Sequence, residues 1–416
     1  MRPTLRVKVP PLSTLIMFAT LLTVIPFPSV GGWRGLLFYG FGAYMLFRLF
    51  LNKCSIRWGH LLWLLSFYLL GYFSQHWAIY PGTALRISDY VRHAVILNWA
   101  IAEYITQDEY DLDHICKVML WMAVLLVGDY LLNATSNDGR FTLKVNANVL
   151  GMSASYLFGF IMYAAKKAKW RKILLDVVLA ILLVIILLTG SRKALIMVAV
   201  FVVAFFLFWT PEKGSVDMLL RIVGVVLLLV AAVLIIMNVD VFYEALGKRL
   251  ESLLTYWITG EETDASAITR TNMINIALEL FLNLNPLFGI GLNNFKYVSG
   301  YMTYSHNNYV ELLCSLGIVG VLVYYGPMIY FTVRAFILWR KRIPGAILPL
   351  TILILQFIND FGQVSYYSFY IHIFIGIAIG YIYLMERKLQ EKQAAEELEQ
   401  QEYELALSKE RKGNEA

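Results

Sequence analysis

Charge is what this chain has least of. Asp, Glu, Lys and Arg make up only 15% of its 416 residues, where an ordinary soluble domain carries about a quarter. Hydrophobic residues reach 59% and the mean hydropathy is +0.63, so a fold solvated on all sides is excluded. Cysteine is almost absent as well. Cys54, Cys116 and Cys314 show no metal-ligand spacing, and the topology below places two on the cytoplasmic side and one inside a helix, which excludes a disulfide framework. Gly-rich phosphate loops, CxxC, HExxH and GxSxG are missing too. The net charge of +6 does not point to nucleic acid, because the basic residues are scattered over short loops between apolar runs, as in cytoplasmic membrane anchoring.

What is present is a series of apolar runs of the length that crosses a bilayer, about 20 residues each. They fall near 12–28, 35–51, 60–75, 88–106, 116–132, 148–165, 173–189, 192–210, 219–238, 307–337, 346–361 and 368–385. The expected fold is therefore all-α and polytopic, with about twelve transmembrane helices. The first run follows basic residues without a small-residue cleavage site, so it is read as a span and not as a removed signal. Four parts follow: spans 1–9 over 1–238, a large outward loop over 239–306, spans 10–12 over 307–385, and a charged cytoplasmic tail over 386–416. Loops holding Arg2, Arg6 and Lys8, Lys53 and Arg57, Lys166 to Lys172, and Arg340 to Arg342 set the orientation. They lie inside by the positive-inside rule, which turns the long loop outward.

The residues that break membrane rules carry the functional signal. Leu187 to Leu195 joins two spans by a tight outer turn, and it puts Arg192 and Lys193 where cations are disfavoured. Snorkelling to the interface is the plain reading; ionisable groups at membrane depth otherwise mark function. In the long loop, Phe242, Leu246, Leu250, Leu254 and Trp257 recur near every fourth residue, with Lys248, Arg249 and Glu251 between them, which describes a surface-lying amphipathic helix. Thr259 to Ala267 breaks it, and a second helix is expected from about Thr269 to Leu284. Arg270 then falls in its first turn, a position the helix dipole disfavours unless an anion binds there. Pro286-Leu-Phe-Gly-Ile-Gly follows, and then Ser305-His306-Asn307-Asn308 where the loop re-enters the membrane. His306 is the loop's one histidine and can exchange a proton near neutral pH. A lone His at a helix start is also a common cap.

Ser191-Arg192 in an outer turn, the Arg270 helix leading to Pro286-Leu-Phe-Gly-Ile-Gly, and Ser305-His306-Asn307-Asn308 with Gly317 downstream together resemble the O-antigen ligase and O-antigen polymerase family. The likeness extends over most of the chain, since the twelve spans and the loop before the His-bearing helix match as well. It implies an all-helical membrane glycosyltransferase of the GT-C type in the bacterial inner membrane, with its active site facing the periplasm or outside. It also implies a metal-independent and cofactor-free enzyme. Its partners would be an undecaprenyl-pyrophosphate-linked glycan as donor and a glycan or lipid A–core as acceptor. By the same resemblance Arg192 and Arg270 hold the pyrophosphate, and His306 takes the acceptor hydroxyl proton. The charge logic agrees: fixed arginines match the charge that develops on a leaving pyrophosphate, and direct displacement inverts the anomeric centre.

Further outward polar residues are candidates for the same cavity. Arg86 is expected on the pyrophosphate, with Asn307, Asp360 and Lys193 in support; Arg92, Asn146, Asn148 and Asn359 are weaker candidates. Glu311 lies five residues past His306, about 140° around a helix, so Asp360 is the better orienting partner. The resemblance does not separate polymerase from ligase; polymerase is preferred because a ligase requires an outer membrane. A flippase of lipid-linked sugars would show mid-membrane charges and two similar halves, and a scaffold would not need outer arginines.

Overall fold

The computed structural model describes residues 11–25, 27, 33–51, 56–107, 109–137, 139–143, 146–167, 172–209, 215–260 and 265–414. Every apolar run of the sequence contains a helix: α1 (Leu12–Leu22), α2 (Arg34–Leu51), α3 (Trp58–Phe73), α4 (Pro81–Gln107), α5 (Leu112–Asn133), α6 (Ala147–Lys167), α7 (Lys172–Leu188), α8 (Arg192–Leu207) and α9 (Ser215–Asn238) precede the long loop. The loop itself holds α10 (Asp240–Phe242), a π-helical turn at Tyr243–Gly247, α11 (Lys248–Thr259), α12 (Ala265–Asn283) and α13 (Phe295–Val298); α14 (Asn308–Arg340), α15 (Ile347–Asp360) and α16 (Phe369–Asn414) close the chain. Among the described residues five helices, α5, α6, α9, α14 and α16, are long and apolar enough to cross a membrane. The other seven runs fall short: α7 and α8 have 17 and 16 residues, and α4 is long but carries Arg86, Asp89, Arg92 and Glu103. The chain is an all-helical integral membrane protein.

Burial ranks these helices. α6 and the apolar part of α16 are each 83% buried, whereas only 11% of α9 is; a helix apolar all round is enclosed by protein or by lipid. α16 lies along α4 because Gly376 and Gly380 remove the side chains that would keep them apart. A Cβ at Gly376 would stand 2.5 Å from the Asn98 carbonyl oxygen. This is the small-xxx-small packing of membrane helices.

Three departures from the expected fold bear on the site. The α5–α6 connection is a β-hairpin, β1 (Thr135–Asn137) against β2 (Arg140–Thr142), with Asn137 opposite Arg140. Next, α12 is already helical at Ala265, ahead of Thr269, and Thr259–Ala267 lies partly outside the described residues. Finally, α14 is two helices that meet at Gly317, whose φ of 65° and ψ of −163° no helix contains.

The glycine-rich motif occupies that break. Ile290 and Gly291 donate their N–H groups to the Cys314 and Ser315 carbonyls at 2.9 Å each, and Ile318 donates to Pro286 O at 3.0 Å. A broken helix leaves buried backbone groups that need partners, and the motif supplies them. It also holds the α3–α4 corner, through Ile79 N–H to Ile290 O at 3.2 Å and Leu292 N–H to Ser74 Oγ at 3.2 Å. Pro286-Leu-Phe-Gly-Ile-Gly is thus a backbone joint that carries the end of α12 and the start of α14 together.

Candidate active site

The turn before α8 shows how tightly the loop end of the bundle is assembled. Gly190 has φ +62°, and a Cβ there would stand 2.2 Å from the Ala245 carbonyl oxygen of the π-helical turn. Only glycine permits both the left-handed backbone and that approach. Ser191 then caps α8, its side chain accepting from Ala194 N–H at 3.4 Å, so Arg192 and Lys193 are the first two helical residues. No acidic residue shares that first turn. Two cations at a helix N-terminus oppose the dipole, and a bound anion reverses the sign.

Around this turn three further arginines converge from separate segments. Arg140 of the hairpin donates from Nε to Thr189 O at 2.6 Å and from Nη2 to Asn148 Oδ1 at 3.1 Å. Arg192 Nη1 reaches the Arg249 carbonyl at 3.4 Å. Burial, then the charges of Arg249, Arg270 and Arg192, push the Arg140 guanidinium down to about 10, still charged at neutral pH. A π-helical segment beside such a cluster is a frequent companion of functional sites.

Arg270 does not occupy the first turn of its helix. It sits in the second turn of α12, beyond the reach of the free N–H groups, because the dipole effect fades within one turn. Its contribution comes from its guanidinium, which acts electrostatically on Arg140, Tyr304 and His306.

His306 stands beside this cationic group, half-buried, with a left-handed φ of +61°. Its ring lies 4.5 Å from that of Tyr304, centroid to centroid. Burial, then Arg270 and Lys193, push its imidazole down to about 4, so it is neutral, and able to accept a proton, at physiological pH. Arg270, from the loop helix, is thus the link between the two groups: it acts on Arg140 together with Arg192 of the turn, and on His306 of the re-entry point together with Lys193.

The supporting residues serve mainly to hold the frame. Asn307 is the N-cap of α14, its Oδ1 accepting from Val310 N–H at 3.1 Å. Lys193 Nζ donates to the Gly362 carbonyl, tying α8 to the α15–α16 turn. Asp360 is not the orienting partner of His306. It is buried, and it accepts from Tyr325 Oη at 2.6 Å, Gln356 Nε2 at 2.6 Å and Asn308 Nδ2 at 3.3 Å. Glu311 likewise turns away from the imidazole and accepts from Ser305 N–H at 2.8 Å, which fixes the backbone just before His306. Arg86 is exposed on α4 and is not among the charges acting on Arg140 or His306. Arg92 pairs with Asp89 at 3.1 Å.

Hydropathy and periodicity do not single out Arg140, and they put Arg249 only on the polar face of a surface helix. The Asp138-Gly139 pair, a strong hairpin-turn signal, was the available clue to Arg140.

A family model described as O-antigen ligase matches residues 177–325. The matched stretch holds Arg192, Arg249, Arg270 and His306, and it leaves Arg86, Arg140 and Asp360 outside. No curated protein matches the chain.

Proposed function

We propose that this chain, whose residues 177–325 match the O-antigen ligase model, is a member of the O-antigen ligase and polymerase family and transfers a glycan from a polyprenyl-pyrophosphate donor to an acceptor hydroxyl. The observation that supports this most is the convergence of Arg192, Arg249, Arg270 and Arg140 beside a neutral His306. In this reading Arg192 and Arg270 bind the pyrophosphate. The acceptor oxygen attacks the anomeric carbon and the bond from that carbon to the phosphate oxygen breaks, so the configuration inverts. The electron pair stays on the pyrophosphate, where the fixed cations stabilise it. The hydroxyl proton passes to His306.

Electrostatics couples binding to that proton transfer. In the free site burial, and then Arg270 and Lys193, keep His306 a weak base. A bound pyrophosphate offsets their field, so the imidazole gains basicity when a donor is present. The positive-inside pattern of the short loops supports a reading in which this site lies on the outer face of the inner membrane, with 239–306 as the outward loop and 386–416 as the cytoplasmic tail.

The acceptor separates the two branches of the family. The description of the matching model, O-antigen ligase, favours lipid A–core as the first acceptor to offer; a second lipid-linked glycan as acceptor is the polymerase reading. The test supplies purified protein with undecaprenyl-pyrophosphate glycan, alone and with lipid A–core, and analyses the products by mass. Glycosylated lipid A–core identifies a ligase, and an elongated lipid-linked glycan a polymerase. With neither product, and free donor unchanged, glycosyl transfer is wrong.

A further inference from the structure

A cavity of about 700 Å³ runs between α6, α7, α8 and α9, and the proposed chemistry does not use it. Its wall is almost all carbon, from Phe158, Leu183, Leu187, Ile196, Ala232 and Ile236 among others. Lys166, Lys172 and Asp176 mark one end. From Lys172 to Leu187 the α7 wall rises about 22 Å, most of the depth of a hydrocarbon core.

The other end of the cavity leads to the arginines. Leu187 and Ile236 pack with Leu246 of the π-helical turn, and Leu195 and Leu250 join the same cluster. Leu195 is one turn along α8 from Arg192, and Leu250 follows Arg249. The trough and the cationic group therefore share a rim, and one ligand with a diphosphate head and a single long apolar tail fits both. Along the trough, Ile196, Phe206 and Leu228 remain about half exposed. Apolar side chains left open in this way gain contacts from a hydrocarbon occupant.

We propose that this trough binds the isoprenoid tail of the donor whose pyrophosphate lies on Arg192 and Arg270. The assignment rests on the reading of the arginines given above. It makes α9, the least buried of the five long helices, one wall of a lipid slot between protein and bilayer. A tail held there leaves the pyrophosphate at the rim and the sugar facing His306.

The test uses the full chain in nanodiscs with a diazirine-bearing polyprenyl pyrophosphate, and cross-links are mapped by mass spectrometry. They are expected on trough residues of α7, α8 and α9, and excess undecaprenyl pyrophosphate should suppress them while phosphatidylglycerol should not. Ala232→Trp, which fills the trough, should weaken binding of the long-chain pyrophosphate about tenfold, the worth of roughly two lost methylenes. Inorganic pyrophosphate binding should not change, which also shows that the variant is folded. Val226→Trp, on α9 outside the trough, should change neither. Cross-links confined to other helices, or equal competition by phosphatidylglycerol, overturn the assignment. Arg192→Ala and Arg270→Ala separate the two readings: intact binding with cross-links still in the trough rejects the arginine clamp alone, and lost binding with wild-type cross-links elsewhere rejects the trough alone.

Discussion

Two groups of cations in this molecule keep different company. Far from the loop, cations meet carboxylates. Arg57 bonds buried Glu103 at 2.9 Å, Arg334 Nε bonds Glu386 at 2.8 Å, and Arg387 reaches Glu109 at 2.8 Å. At the loop end, Arg140 is surrounded by Arg249, Arg270 and Arg192, and His306 feels Arg270 and Lys193. Paired charges serve the fold, because each covers the other's desolvation. Arginines gathered this closely repel one another and lower the Arg140 guanidinium, and an anion held among them offsets that repulsion. The difference teaches where to expect substrate in a chain with so few charges.

The comparison sharpens most at His306. His306→Ala should leave donor binding near the wild-type value and cut turnover by about a hundredfold or more, measured as separate donor affinity and single-turnover rate. Normal turnover would remove the imidazole from the mechanism. Next in size are the arginines. Arg192→Ala and Arg270→Ala should each weaken donor affinity by about tenfold to a hundredfold, the range of a lost charge-assisted hydrogen bond. Lysine should recover little of it, because a point charge does not reproduce the guanidinium fork. Titration with undecaprenyl pyrophosphate gives the answer, and Arg86→Ala serves as the comparison that should bind like wild type.

Stability should respond with opposite signs in the two groups. Glu103→Ala removes the partner of Arg57 and should destabilise the protein by about 2 kcal/mol. Arg270→Ala removes a like charge and should leave the donor-free protein as stable as wild type or slightly more stable. Thermal unfolding of the detergent-solubilised variants decides, and equal losses from both would dissolve the contrast between the groups.

The smallest effect is in the pH profile. A base works only when unprotonated, so activity is lost as pH falls through its pKa. With free His306 near 4, the acid limb of kcat/KM, which reports the free enzyme, should lie near 4. The limb of kcat should lie higher, because bound pyrophosphate offsets the field of Arg270 and Lys193. Arg270→Ala should move the kcat/KM limb upward by a fraction of a unit. A downward shift would mean that Arg270 does not act on the imidazole.

Much of this protein is legible in its composition and patterning. The apolar runs announce the helices because a backbone in lipid must satisfy its own hydrogen bonds, a constraint local to each segment. Arg192 stands out for the same reason, as a costly residue beside hydrocarbon, while Arg270 and His306 stand out as a cation near a helix start and as the long loop's one histidine. Their order along the chain, with the proline–glycine motif between, suffices to suggest a family.

Tertiary structure decided the rest. Arg140 looks like an ordinary loop residue until Gly190 lets the π-helical turn close over the α8 turn and bring the hairpin beside it. Asp360 reads as a free outward acid, and only packing shows it committed to Tyr325, Gln356 and Asn308. Arg86 has the right charge on the outward side but lies exposed on α4, and the Arg270 helix is already formed a turn ahead of where its apolar pattern suggests. The glycine motif looks like a loop and is the joint that mends a broken helix at Gly317. Each of these depends on contacts between residues tens to hundreds of positions apart. Hydropathy and periodicity are properties of neighbours along the chain, so they determine which segments enter the membrane, while which charges meet is left to how those segments pack.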